Sequence, residues 1–139
     1  MTGFTEVQTI LDTATNAVVG IPAVTTENER IKTGLFTAFT RTTLAPAETI
    51  AESIGTCGTD RLNGIYVIDV FHPKDEGVAD SNADADLLTL AFESGTILID
   101  GSDSVEIFNS YPNPSTPDLE KFYRKQIIVM WRARRSRTV

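Results

Sequence analysis

Apolar and polar positions follow two different periods along this 139-residue chain. Near the N-terminus Phe4, Val7, Leu11, Ala14 and Val18 recur every three or four residues, widened by Ile10 and Ala17, which predicts an amphipathic helix. Thr5 with Gln8 fits a capping box and Thr2 is a second cap candidate; Gly20 stands where a glycine ends a helix, and Pro22 blocks continuation. Ile65 to Phe71 is instead a run of β-branched and aromatic residues whose length suits a buried strand. Tyr66, Ile68 and Val70 share one face of that strand, and Ile65, Val67, Asp69 and Phe71 the other. Both faces are largely apolar, so helices should take one, and the other needs a partial cover, for which another copy of the chain is a candidate. Asp69 marks the second face as not fully dry, because an unpaired buried carboxylate is costly.

Pro73 ends the strand within His72-Pro73-Lys74-Asp75-Glu76-Gly77, since it has no N–H to give to a ladder. Ala79, Ala83, Leu87 and Leu90 then repeat at helical spacing and predict a second helix, folded back over the sheet and ended by Gly95. Leu35 to Leu44 reads as a strand by its Thr and Phe content, with a short strand near Ala23–Thr26 before it. Thr96–Ile99 and Val105–Phe108 flank a turn containing Gly101 and predict a β-hairpin. Tyr111 to Pro117 is too rich in proline for a central strand. Asp118 to Trp131 predicts a long final strand, with Tyr123, Ile127, Val129 and Trp131 on one face and Phe122, Arg124, Ile128, Met130 and Arg132 on the other. Ala45 to Asn63 has few bulky apolar residues and contains Gly55 and Gly58. It reads as a long loop between two hairpin strands, either a mobile surface loop or a flap that orders against a partner.

The length fits a single domain, residues 1–139, with one core. No apolar run approaches the ~20 residues of a membrane helix, and the N-terminal stretch lacks the basic start and apolar core of a signal peptide. Cys57 is the one cysteine, so an internal disulfide is excluded. The net charge of −7 is unevenly spread. From Lys121 onward seven basic residues meet no acidic one, which leaves residues 1–120 at −14. The body should repel nucleic acid and the basic end, 132–139, should attract anions unless it is a frayed, solvated tail.

Chemistry-bearing patterns are sparse. His72 is the one histidine, and any Ser–His–Asp or Cys–His system would have to use it. Neither it nor Cys57 has a nucleophile-turn context. Asp80-Ser81-Asn82-Ala83-Asp84-Ala85-Asp86 resembles the start of an EF-hand loop. It fails where Ala85 replaces the turn glycine and Ala91 the bidentate glutamate, and an acidic first helical turn explains it better. P-loop, GxGxxG, CxxC and HExxH motifs are absent. The expectation is therefore of no catalytic residues, no metal site and no cofactor. Tyr123 and Trp131 alternate with basic residues, but they share a strand face with Ile127 and Val129, which is a core pattern and not a base-stacking one.

The order of elements resembles the tail terminator family of long-tailed bacteriophages. The resemblance is carried by the first helix ending Gly20-Ile21-Pro22, by Glu27-Asn28, and by the strand Gly64-Ile65-Tyr66-Val67-Ile68-Asp69-Val70-Phe71 with its Pro-containing turn. It continues with a helix bearing Ala83-Asp84 and Asp86-Leu87-Leu88 and leading to Phe92, the hairpin Gly95-Thr96 to Val105-Glu106-Ile107, and the closing strand. It runs from about Phe4 to Trp131, departing in the 45–63 loop and the Arg-rich end.

The resemblance implies an α+β fold: a twisted, mostly antiparallel sheet with two helices on one face, in the subunit of a ring oligomer, typically a hexamer. It implies a structural virion protein that sits on the head-proximal end of the tail tube, stops tube polymerisation and offers a docking surface to the neck or head-completion protein. DNA passes through the channel without specific binding, no membrane is involved, and assembly takes place in the host cytoplasm. Partner-contacting candidates are Thr56, Cys57, Thr59, Asp60 and Arg61 in the loop, and Arg132, Arg134, Arg135 and Arg137 at the basic end. Asp75, Glu76, Asp80 and Asp84 are candidates for an acidic channel wall. The alternatives are another neck component (a head–tail joining or stopper protein), a monomeric cation- or nucleic-acid-binding domain, and a hydrolase using His72 and Cys57.

Overall fold

The computed structural model describes residues 3–22, 24–25, 38–55, 57–73, 79–113, 116–119 and 122–136. In chain order the elements are α1 (Phe4–Asn16), β1 (Val24–Thr25), β2 (Phe39–Ala51), β3 (Thr59–Pro73), α2 (Ala79–Ala91), β4 (Ile97–Asp100), β5 (Asp103–Pro112), β6 (Thr116–Leu119) and β7 (Phe122–Ser136). The strands make one sheet in the order β1-β2-β3-β7-β5-β4, with β6 paired to β7 where β5 leaves off. Every pairing is antiparallel except β1 with β2. This is the expected α+β architecture.

Both helices lie on one face of the sheet. Val7, Ile10 and Leu11 of α1 and Ala85 and Leu88 of α2, with Phe92 just beyond it, meet Tyr66, Ile68, Val70, Ile107, Ile127, Val129 and Trp131 in a single core. Each such fully buried large side chain contributes roughly 1.5–3 kcal/mol. The strand-face reading of Tyr66, Ile68 and Val70, and of Ile127, Val129 and Trp131, holds. Phe4 meets Trp131 edge to face, with ring centroids 6.3 Å apart.

Several local expectations are corrected. The α1 N-cap is Gly3, whose N–H donates to Glu6 Oε2 at 3.0 Å, so Thr5 and Gln8 do not form the cap. The helix ends at Asn16, short of Gly20, although Gly20 does take a left-handed φ of 100°. The hydroxyls of Thr9, Thr13 and Thr15 and the Asn16 amide all donate to carbonyls one turn back, a local competition that weakens the helix end.

The 45–63 stretch is mainly strand. β2 runs on to Ala51 and β3 starts at Thr59, so the arms of the hairpin absorb it and only a short tip remains. Pro46 is tolerated because β1 pairs with β2 only at Thr40 and Arg41, leaving the other edge of β2 unpaired there among the described residues. A bulge between Pro46 and Glu48 then resets the register. The basic end is not a frayed tail as far as Ser136. β7 continues through Arg132, Arg134 and Arg135, paired with β3 up to Thr59↔Ser136. Asp118 and Leu119 belong to β6, so the final strand begins at Phe122. The β4–β5 hairpin is as expected, with Gly101 at φ 63° in its turn.

Candidate functional site

Among the described residues, the second face of the sheet carries no helix. Cross-strand register places Ala45, Ile65, Met130 and Asn109 in one row and Thr43, Val67, Ile128 and Tyr111 in the next, on the side away from α1 and α2. Ile97 of β4 joins this face opposite Glu106. Ile65 is 37 % exposed, Tyr111 41 % and Ile97 60 %, with Val67 and Met130 half-buried and Ile128 buried between them, so the apolar band across the sheet opens to water at Ile65, Tyr111 and Ile97. The band has two polar rims. On one side Gln126 donates to Asp69 Oδ1 at 3.2 Å and receives the Asn113 amide at 2.9 Å. There Phe39 stacks on Phe71 at 4.5 Å beneath the Arg41 guanidinium. Asp69 thus has partners and is buried, which is how this face carries a carboxylate.

The other rim brings together Arg61, Arg132 and Arg134 of the expected contact residues. Arg61 sits opposite Arg134, and Asn63 opposite Arg132, on the open face. Arg132 donates to both Glu106 oxygens, at 3.0 and 2.8 Å, and this hydrogen bonding lowers the Glu106 pKa and raises that of Arg132. Arg134 donates to Glu52 at 2.8 Å, with Arg61 4.0 Å from the same carboxylate. Asp60 and Arg135 pair at 3.6 Å, but alternation turns them to the helix side. Thr59 is half-buried and Cys57 is exposed at the hairpin tip. Thr56 and Arg137 lie outside the described residues.

The acidic candidates do not stay together. Asp75 and Glu76 lie outside the described residues, and Asp80 is exposed at the start of α2. Asp84 is buried, with its Oδ2 2.6 Å from His72 Nε2 at the end of β3, so its carboxylate is not presented to solvent by the single chain. Burial raises the Asp84 pKa, against the opposing pull of His72. Ser81, Asp84, Ala85, Leu88 and Phe92 are the buried positions, so the expected stripe is on the wrong side. Ala83, Leu87 and Leu90 face outward, with Leu87 39 % and Leu90 65 % exposed. An open groove bounded by Gly20, Ile21, Pro22, Ala38 and Leu87 runs beside them.

Two buried polar networks had a weak sequence signal. Tyr66 carries a polar tip between Leu62 and Ile68 on an apolar strand face, and its hydroxyl donates to Asp12 Oδ1, which also accepts from Thr42 Oγ1 at 3.0 Å. Thr15 Oγ1 lies 3.2 Å from the same hydroxyl. Burial, then the Asp12 carboxylate, drives the Tyr66 pKa far above its usual value. The second network is the His72–Asp84 pair, whose members are twelve residues apart in sequence.

A Cys57–His72 dyad is not formed. Cys57 precedes the start of β3 at Thr59 and His72 stands near its end, with roughly 40 Å of strand between them at about 3.3 Å per residue. Among the described residues no three His, Cys, Asp or Glu side chains gather as a metal site, and no helix is long and apolar enough to cross a membrane.

A protein-family model described as "Phage tail terminator protein" matches residues 7–131. A solved protein structure superposes with a TM-score of 0.68, at 15 % identity, over 91 % of this chain and 94 % of that one, which is a likeness of fold. No curated protein matches the sequence.

Proposed function

Because this chain belongs to the phage tail terminator family, whose members are structural components of the virion tail, we propose that it closes with its own copies into a ring at the head-proximal end of the tail tube. The ring stops tube growth and presents a docking surface to the neck or head-completion protein. Its role is structural and not enzymatic. A hexamer is the expected stoichiometry, assembled in the host cytoplasm, with an acidic inner wall past which DNA slides without specific binding. Asp80, Asp75 and Glu76 are the candidates for that wall.

One observation carries the reading. The sheet has an apolar core on one face and a wet apolar band on the other, with Ile65, Tyr111 and Ile97 in water. A contiguous apolar band rimmed by charge is the usual mark of a protein contact surface. A ring covers it with protein, and the Arg61, Arg132 and Arg134 rim supplies polar contacts to a neighbour or to the tube.

The test is electron microscopy of tail tubes grown with and without the protein. Tubes of uniform length, each with a ring at one end, are expected when it is present, and over-long tubes when it is absent. Density on isolated heads and never on tubes would favour another neck component. Uncapped tubes of unchanged length in its presence would refute the role.

A further inference from the structure

We propose that the ring contact is head-to-tail, with the outward stripe of α2 (Ala83, Asp86, Leu87 and Leu90) on one copy seated on the open sheet face of the next, at Ile65 and Tyr111. This rests on the ring reading and names the two surfaces that make it.

Among the described residues two apolar patches stand exposed, and they lie on different layers. One belongs to the helix layer, where Leu87 and Leu90 form a ridge with Ala83 at i, i+4 and i+7. The other is the band on the back of the sheet. Their charges are complementary. The ridge is flanked by Asp86 and Glu93, both exposed, and there is no Lys or Arg anywhere from residue 75 to residue 120. The sheet face is rimmed by three arginines, Arg61, Arg132 and Arg134, against two carboxylates, Glu52 and Glu106, and the Arg134 side chain is 70 % exposed even while paired with Glu52.

A two-fold contact uses one patch twice. It would set Asp86 and Glu93 against their own copies, or arginine against arginine, and like charges facing each other are costly. It would also leave the second patch in water. A head-to-tail contact uses both patches once per subunit, and when the rotation closes it makes a ring with neither exposed. The exposed stripe on α2 is therefore the complement of the open sheet and not a defect of the helix.

The test uses the full chain and two exposed positions, Leu90→Asp to disable the ridge and Tyr111→Asp to disable the sheet face. Circular dichroism should match the parent for both. Native mass measurement should find each variant monomeric where the parent forms rings. An equimolar mixture should give 1:1 dimers and nothing larger, because one intact ridge and one intact sheet face remain between the two variants. A second arm reverses charge: Asp86→Arg and Arg134→Glu should each lose rings, and the double variant should regain them. A mixture that stays monomeric while the parent forms rings would overturn the pairing and leave the ring standing, as would rings formed by either aspartate variant alone. A parent that stays monomeric both alone and on tail tubes would overturn the ring reading itself.

Discussion

Leu88 and Leu90 stand two residues apart on α2, and replacing each by alanine should have opposite consequences. Leu88 is fully buried in the core between α2 and the sheet. Its truncation removes the transfer free energy and leaves a cavity, at a cost of about 2–5 kcal/mol. Leu90 is 65 % exposed, so only about a third of a leucine's roughly 1.5–3 kcal/mol of burial is realised, or about 0.5–1 kcal/mol. Alanine's higher helix propensity offsets part of even that. Urea unfolding followed by circular dichroism measures both, at a concentration where the chain is monomeric, because association adds to apparent stability. On heating, a 3 kcal/mol loss at Leu88 corresponds to roughly 10 °C in Tm for a chain of this size, against a few degrees at most for Leu90. Equal losses at the two positions, or a larger one at Leu90, would refute the orientation of α2 and with it the assignment of its outward stripe.

Tyr66→Phe should cost about 1–3 kcal/mol by stripping a buried donor from Asp12. Because the folded-state pKa of Tyr66 is raised above its usual value near 10, the stability it contributes is fully present below pH 10 and is lost as pH rises beyond it. Denaturation across alkaline pH should therefore fall more steeply for the parent than for Tyr66→Phe, and equal slopes would contradict the network. Gly101→Ala should cost about 1–2 kcal/mol by urea titration, purely from its φ of 63°, since an added Cβ there meets nothing within 4 Å; an unchanged midpoint would show that the turn does not need glycine. Replacing Arg132 and Arg134 together by Gln should leave circular dichroism unchanged yet block joining to tails, and normally capped tails in micrographs of the variant would count against the basic rim as a contact surface.

The order of strands and helices was largely readable because apolar spacing decides which residues can share a face. The strand around Tyr66 and the closing strand around Trp131 both carry alternating core positions, and both were placed on the correct side. The second helix defeated the same reasoning. It has two apolar ridges, and spacing alone favoured Ala83, Leu87 and Leu90. The other ridge, Ala85 and Leu88 leading to Phe92, is the one buried against the sheet, and the pairing of Asp84 with His72 on the same side is a contact between a strand end and a helix start that no local pattern encodes.

The 45–63 stretch was misread for a related reason. Its residues are poor strand formers taken singly, but β3 and β7 hold the lower hairpin arm by backbone pairing, which is blind to side-chain type. The arginines at the chain end looked like a solvated tail by composition. They lie on a strand that the far half of β3 extends, with Glu52, Glu106 and Asp60 as partners. The apolar second face was legible in the strand around Ile65 and Val67, but its extension to Tyr111 and Ile97 was not, since exposure across four strands is a property of the register.

Whether one subunit is incomplete and finishes itself against its copies is decided by the mass of the protein in solution, alone and with isolated tail tubes. A discrete closed assembly, six subunit masses for a hexamer, is expected on tubes and at high concentration, with the Ile65–Tyr111 face protected from solvent within it. A single subunit mass under every condition, with that face still open in the presence of tubes, would contradict it.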